Sequence, residues 1–220
     1  MLTFIITAGG IGKRMGGTTP KQFLLLDGKP ILMHTIERIH RFDASAELIV
    51  TLPEDYLKDW EEMCGKYAFD IKHNVVSGGE ERFDSIQNAL EQASGEWIAV
   101  HDGVRPFVSM EVLAELVQEV KTQRAVIPVI PVKESIRLVE GSHSAAVHRS
   151  QYQIVQTPQI FEGKLLKKAY EQKYTHAFTD DASVVESIGV RIHLISGNDA
   201  NIKITNPVDL KLAEILLHSL

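Results

Sequence analysis

An α/β fold, a mostly parallel sheet with helices on both faces, is what this chain predicts, on three observations. Short β-rich runs alternate with helix-length amphipathic segments, the pattern of a parallel sheet whose crossovers are helices. The run Trp97-Ile-Ala-Val100 is apolar without alternation, as expected of a strand covered on both faces. The 220 residues, 44% apolar and 24% charged, can bury one large core, which excludes a disordered or low-complexity chain. One Rossmann-like domain spanning residues 1–220 is therefore expected.

The strands are expected at 2–6, 48–52, 71–76, 97–100, 125–129 and 190–195, where β-branched and apolar residues cluster. Helices are expected at 30–41, 54–66, 80–93, 110–122, 163–172, 180–187 and 207–218. Pro30 and Pro207 stand where a first helical residue tolerates proline, and Asn206 is a suitable N-cap. Met33, Ile36 and Ile39 share one helix face and read as core. Cys64, on a polar helix near Trp60, reads as a small buried hydrophobe. One segment breaks the rhythm. Residues 132–139 alternate loosely, Glu140-Gly141-Ser142 makes a turn, and 145–155 returns, so a β-hairpin arm spanning 132–155 is expected within the sheet domain. It reads either as a surface flap or as an arm packed on another subunit.

Composition narrows the function. Lys and Arg total 23 against 29 Asp and Glu, a formal charge of −6, which argues against a dedicated nucleic-acid binder. A single cysteine excludes a disulfide framework and a cysteine-ligated zinc. The first apolar run is too short for a signal segment and lacks basic residues before it. No stretch approaches the ~20 apolar residues of a membrane span. A cytoplasmic protein without membrane partners is the expectation.

The chemistry begins after the first strand, in Ala8-Gly9-Gly10-Ile11-Gly12-Lys13-Arg14-Met15, continuing to Pro20-Lys21-Gln22. Glycines there let backbone N–H groups approach a phosphate. A dinucleotide fingerprint fails because Met15 stands where its third glycine belongs. A P-loop fails because Thr7 replaces its first glycine and Arg14 follows Lys13. Lys13, Arg14 and Lys21 remain, clustered behind a glycine-rich loop in an acidic chain. They suit a polyphosphate ligand, or else form a flexible turn with solvated cations.

Val100-His101-Asp102-Gly103-Val104-Arg105-Pro106 follows a central strand, where open α/β sheets bind ligands. Asp102 there reads as a ligand for a divalent metal serving phosphates, or as a turn cap. His101 reads as structural. Ser77-Gly78-Gly79, followed by Arg82, Asp84 and Ser85, permits backbone contact with a flat base, or is a plain turn. Thr179-Asp180-Asp181 opens a helix, and capping explains it. Lys203, in a short extended run, reads by itself as solvated.

Together these motifs resemble one family. The loop from Gly10 to Gln22 is similar to that of nucleotidyltransferases that activate small phosphorylated polyols and sugars. Gly78-Gly79-x-x-Arg82-x-Asp84-Ser85, His101-Asp102-x-x-Arg105-Pro106, Gln156-Thr157-Pro158-Gln159-x-Phe161, Thr179-Asp180-Asp181-Ala182-Ser183 and Asn201-Ile-Lys203-Ile-Thr205 narrow it. In this order they resemble the 2-C-methyl-D-erythritol 4-phosphate cytidylyltransferase family of the non-mevalonate isoprenoid pathway, over nearly the whole chain.

The resemblance implies that CTP and methylerythritol phosphate give a CDP-linked alcohol and pyrophosphate. It implies that Arg14 and Lys21 hold the triphosphate and stabilise the pentacoordinate α-phosphate, with Lys203 adding charge on the far side. CTP contacts would come from Ala8, Gly9, Gly10, Gly12, Gly78, Ser85, Asp102 and Gly103. Of these, Gly9, Gly10, Gly78 and Ser85 would meet the base, and Gly103 the ribose. Mg²⁺ would take Asp102 as its protein ligand. The hairpin would be a dimerisation arm exchanged across a homodimer, so that Ser135 and Arg149 of one chain meet the polyol phosphate beside Thr179 and Lys203 of the other. Two departures stand out: Ser135 occupies a position where the family usually has threonine, and Ala200 precedes Asn201 where some members are acidic, with Asp199 one step earlier.

A ribitol 5-phosphate cytidylyltransferase shares the loop and the lysines, though Asp84-Ser85 and Ala182-Ser183-Val184-Val185-Glu186 favour methylerythritol phosphate. A non-catalytic nucleotide-binding scaffold is opposed by intact Arg14, Lys21, Asp102 and Lys203. A glycosyltransferase would show Asp-x-Asp at the strand end, where His101-Asp102-Gly103 stands.

Overall fold

The computed structural model describes residues 1–10 and 19–219. β1 (Leu2–Thr7) runs straight into the first glycines. A small ribbon, β2 (Leu25–Leu26) and β3 (Lys29–Pro30), leads into α1 (Ile31–Phe42). Pro30 is the residue before the helix rather than its first, with an extended ψ of 137°. β4 (Glu47–Leu52) is followed by a 3₁₀ turn at Glu54–Tyr56 and then α2 (Leu57–Lys66), so the expected single helix from 54 begins in the tighter winding.

β5 (Asn74–Ser77) is shorter than the run at 71–76 suggested. Trp60 Nε1–H donates to His73 Nε2 and His73 Nδ1 meets Ile71 O at 2.7 Å, which holds that stretch out of the ladder. α3 (Arg82–Gln92), β6 (Trp97–Asp102), α4 (Met110–Gln123) and β7 (Ala125–Pro131) continue the βα rhythm.

The irregular segment divides in two. β8 (Arg137–Glu140) and β9 (His143–Ala146) form an exposed hairpin turning at Gly141-Ser142, as expected. The return limb differs from expectation: β10 (Gln153–Val155) leaves the hairpin and pairs antiparallel with β7. β11 (Gln159–Glu162), absent from the sequence reading, then enters antiparallel between β6 and β7. α5 (Gly163–Ala169), α6 (Asp181–Glu186), β12 (His193–Ser196) and α7 (Pro207–Leu217) complete the chain. β12 starts later, and α5 ends earlier, than the apolar patterning indicated. Asn206 caps α7, accepting from Val208 and Asp209 N–H, with Pro207 first in the helix as expected.

β5, β4, β1 and β6 are parallel neighbours, β11 is antiparallel to β6, and β7 and β12 run parallel to each other beyond it. Side chains alternate across this sheet into two cores. Phe4, Ile6, Val50 and Ala99 pack with Met33, Ile36 and Ile39 of α1, Trp60 of α2 and Leu116 of α4. Ile5, Ile49 and Val100 pack with Ile86 of α3, Leu166 of α5 and Val185 of α6. Each buried Ile or Leu is worth about 1.5–3 kcal/mol, so the two layers fix the strand ends rigidly. Cys64 is only partly buried, at the edge of the first core. No helix among the described residues is long and apolar enough to cross a membrane.

Candidate active site

Three polar side chains stand in a row at the carboxyl ends of adjacent strands. Thr7 pairs in register with Thr51 on one side and Asp102 on the other, so all three share one sheet face. This is the crevice where open α/β sheets bind ligands. A cleft of about 280 Å³ opens there, lined by Ala8, Gly9 and Gly10, by Lys21, Gly79, Arg82 and Ser85, and by Asp102 and Lys203.

Local folding aims each group. Gln22 is buried, and its Nε2–H donates to Ala8 O at 2.6 Å, tying the 3₁₀ turn Lys21–Phe23 to the end of β1. Lys21 therefore lies beside Gly10. A Cβ on Gly10 would stand 3.0 Å from Lys21 Cε and 3.3 Å from its Nζ, so the glycine makes room for the ammonium. Ser85 joins the second loop to α3: its Oγ accepts from Gly79 N–H at 3.0 Å and donates to Glu81 O at 3.1 Å. A Cβ on Gly9 would stand 3.7 Å from that same Oγ, so both glycine loops converge on Ser85.

It is Gly79, rather than the expected Gly78, that lines the cleft; Gly78 sits behind it with its N–H on Leu52 O at 2.7 Å. Gly103 also stays off the cleft. Its N–H donates to Thr7 O at 2.9 Å and its carbonyl accepts from Thr35 Oγ1 at 3.0 Å, while Val104 lines the wall instead. A Cβ there would come within 2.9 Å of Leu32 Cδ1, so packing accounts for this glycine.

Asp102 is the electrostatic centre. Its Oδ2 accepts from Arg105 Nε at 2.9 Å and lies 3.0 Å from Lys203 Nζ. Lys203 is delivered by an extended run pinned by Ile204 N–H on Val104 O. Burial alone would raise the Asp102 pKa, but Lys203, Arg82 and Arg105 outweigh it and hold the carboxyl well below its usual range. Both bonds to this carboxylate fall on Oδ2, and among the described residues Oδ1 has no hydrogen-bond donor.

His101 points to the opposite face and is fully buried. Its Nε2 meets Arg105 O at 3.0 Å, so Nε2 carries the proton, and Nδ1 accepts from Thr157 O–H at 2.9 Å. Thr157 Oγ1 in turn accepts from Asp102 N–H at 3.0 Å. Burial pushes the His101 pKa down to about 4, so the ring is neutral at pH 7. It is the structural residue expected.

A second cleft, of about 290 Å³, adjoins the first and shares Arg82, Asp102 and Lys203 with it; Arg105, Thr157, Thr179 and Asp180 are also among its lining residues. Asp180 caps α6, accepting from Ser183 N–H, as the sequence indicated. Arg82 grips Asp181 with two bonds, Nη1–Oδ1 at 3.1 Å and Nη2–Oδ2 at 2.7 Å. Asp181 is wholly buried and also accepts from Tyr170 O–H at 2.6 Å.

Of the residues singled out from sequence, Ala8, Gly9, Gly10, Lys21, Ser85, Asp102 and Lys203 therefore meet in one cleft, and Thr179 lies on its neighbour. Gly12 and Arg14 lie outside the described residues. Ser135 and Arg149 are exposed and line neither cleft; the Arg149 guanidinium donates to Lys133 O. Asp199 pairs with Lys133 at 2.7 Å. Sequence reasoning assigns no role to Arg82 or Arg105, and it leaves Gly79 open between contact with a flat base and a plain turn. Arg82 does carry a signal: a cation at the first position of a helix opposes the helix dipole and calls for a partner elsewhere.

Among the described residues no group of three His, Cys, Asp or Glu could hold a metal by itself. Magnesium serving a polyphosphate needs only one or two carboxylates besides phosphate oxygens and water, so an ionised Asp102 whose Oδ1 takes no donor among the described residues fits that role. The arrangement suits a polyanion in the first cleft, a second anion beside it, and shared cations between them.

Comparison with known proteins agrees. The family model for 2-C-methyl-D-erythritol 4-phosphate cytidylyltransferase matches residues 2–219. The Bacteroides fragilis protein of that name is 52% identical over 216 residues, covering 98% of this chain and 99% of its own length. The Phocaeicola vulgatus protein of that name is 52% identical over 214 residues, covering 97% and 98%. The crystal structure of the Thermus thermophilus enzyme of that name superposes with a TM-score of 0.80 at 30% identity, covering 98% of each chain. That of 4-diphosphocytidyl-2C-methyl-D-erythritol synthase from Anaerococcus prevotii gives 0.84 at 26% identity, covering 99% and 96%. This chain belongs to the 2-C-methyl-D-erythritol 4-phosphate cytidylyltransferase family.

Proposed function

We propose that the chain transfers CMP from CTP to 2-C-methyl-D-erythritol 4-phosphate and releases pyrophosphate. The observation that carries the reading is the pair of clefts that meet over Asp102, Lys203 and Arg82. One takes the nucleotide and the other the acceptor.

The acceptor phosphate monoester has a second pKa of about 6 and is largely dianionic at neutral pH. Its oxygen forms a bond to the α-phosphorus while the α–β bridging P–O bond breaks and the electron pair leaves with pyrophosphate. Such a nucleophile needs no general base, and the described residues of the site supply none: His101 is neutral with both ring nitrogens engaged, and Asp102 is an anion held by cations. What the step needs is neutralisation as two anions meet, with attacking and leaving oxygens in line. Lys21 serves the triphosphate, with Arg14 joining it by the family motif, and Lys203 serves the junction. Ala8, Gly9, Gly10, Gly79 and Ser85 wall the base end. Asp102 Oδ1 would hold Mg²⁺, which on binding neutralises triphosphate charge.

The arm fits exchange within a homodimer. Leu138 and Val139 on the hairpin and Tyr152, Ile154 and Val155 beside it are exposed apolar residues. Ser135 and Arg149 sit on that arm, away from their own clefts, where a partner's acceptor phosphate would use them beside Thr179 and Lys203. A cytoplasmic setting suits both the substrates and the lone thiol. The test is pyrophosphate release with CTP and Mg²⁺, run separately with methylerythritol 4-phosphate and ribitol 5-phosphate. Release with the first alone is expected; release with the second alone would reassign the acceptor, and CTP binding without release would leave a nucleotide-binding scaffold.

A further inference from the structure

Arg82 lines both substrate clefts and a third, aromatic one formed by Phe83, Tyr170, Tyr174 and Phe178. A guanidinium carries five N–H donors. Two are committed to Asp181, and among the described residues the others have no protein acceptor. The side chain keeps 35% exposure, so those donors open onto the clefts.

The grip on Arg82 is built from the far side of the acceptor cleft. Asp181 opens α6, immediately after Thr179-Asp180, and is held by Tyr170 of the segment after α5. Tyr170 stacks on Phe83, the residue next to Arg82, at 4.6 Å between ring centroids, and Phe178 stacks on Phe83 at 5.8 Å. The start of α3, which carries Ser85 and the nucleotide side, is thereby clasped to the loop carrying Thr179 and the acceptor side. The clasp thus joins the walls of the two clefts.

We propose that Arg82 is a further phosphate-contacting residue of this reaction, which directs its uncommitted N–H donors at the acceptor phosphate where the clefts meet, and that Asp181 and Tyr170 are positioning residues that aim it. Planar donors on a fixed fork suit two phosphate oxygens at once, which a lysine ammonium does not reproduce. This rests on the cytidylyltransferase reading. A misplacement of about 1 Å in such a site can cost on the order of a hundredfold in rate.

The experiment compares full-length wild type with Arg82→Lys, Tyr170→Phe and Arg82→Ala, measuring steady-state pyrophosphate release and CTP affinity by calorimetry. Arg82→Lys keeps the charge, and is expected to lower kcat about a hundredfold and raise KM for methylerythritol phosphate while CTP affinity stays within about twofold. Tyr170→Phe keeps the stacked ring, and is expected to lower kcat/KM for the acceptor several-fold without weakening CTP. Added guanidinium at millimolar concentration is expected to restore part of the Arg82→Ala rate, and to fail in the Arg82→Ala/Asp181→Asn double variant. Wild-type rates in Arg82→Lys, or equal rescue in the double variant, would overturn the assignment. A silent wild type would instead overturn the reading beneath it.

Discussion

Lowering the pH from 7.5 to 5.0 is expected to cost the folded protein about 2 kcal/mol through His101 alone. The ring is fully buried, with its pKa pushed down to about 4, against about 6.5 in an unfolded chain. Between those values the unfolded chain takes up a proton that the folded one refuses, so stability falls as pH falls. The stabilisation is complete above pH 6.5 and declines through the window down to pH 4. A gap of about 2.5 units at 1.36 kcal/mol each gives about 3 kcal/mol over the whole window, of which about 2 is spent by pH 5. Asp102 acts in the same sense but over a lower range. Its pKa is depressed, so its contribution is present above about pH 4 and is lost only below it. The window from 7.5 to 5.0 therefore isolates imidazoles. His34, whose pKa burial also lowers, contributes equally to wild type and variant and cancels in their difference. The assay is urea unfolding at half-unit pH steps for wild type and His101→Gln. The variant keeps a donor for Arg105 O but loses the Thr157 contact, so it starts less stable. Its stability should nonetheless fall by about 2 kcal/mol less between the two pH values. Parallel curves would refute the argument, because a neutral His101 would then not be the group that titrates.

Lys21→Ala and Lys203→Ala should each lower kcat by about 10²–10³ with the fold intact by circular dichroism, the scale for one lost charge-stabilising donor; near-wild-type turnover in either removes its role. Arg149→Ala should raise KM for the acceptor well above any change for CTP. Mixed dimers of Arg149→Ala and Lys21→Ala chains should regain activity if arms are exchanged, and no recovery counts against a shared site. In Gly79→Ala the new Cβ would overlap Asp84 Cβ, whose carboxylate caps Glu81 N–H. Overpacking costs about 1–3 kcal/mol, so CTP affinity should drop about tenfold by calorimetry; unchanged affinity would separate this loop from the base.

The parallel strands were legible because burial on both faces leaves an uninterrupted apolar run, as at Trp97–Asp102. β11 was not, for a physical reason. It is four residues long and follows Thr157-Pro158. It begins with Gln159, a polar residue buried because it donates to Asp180 Oδ2 and accepts from Ala182 N–H. The partners of the Gln159 side chain come later in the chain and the strands that flank β11 come much earlier, so no local pattern announces the strand. The hairpin tip was legible through Gly141, but the departure of β10 into the main sheet is a tertiary choice. At the end of β1, Gly9, Gly10 and Lys21 lie together in one cleft, so neighbours in the sequence motif are neighbours in space. Lys203 shows the reverse. Alone it reads as a solvated lysine, and its meaning comes from Asp102 at 3.0 Å, on a strand far earlier in the chain.

The same contrast explains how a chain of net charge −6 can host the meeting of two anions. At physiological ionic strength charges are screened beyond about 8 Å, so a ligand in the cleft responds to its immediate walls rather than to the whole surface. Those walls hold Lys21, Arg82, Arg105 and Lys203 around Asp102, with Glu80, Glu81 and Asp180 also on the lining, Asp180 turned to the start of α6 as its cap, and Asp181 buried behind Arg82. Clustered cations repel one another, and the two buried carboxylates counter that repulsion, each from beneath the residues it holds. Removing either anion would leave the cations closer to substrate in charge but without fixed direction. In-line transfer depends on direction as much as on charge. A site of this kind is thus expected to tolerate exposed charge changes on the acidic surface while remaining sensitive to neutral substitutions, such as Asp181→Asn, that preserve volume and erase the grip.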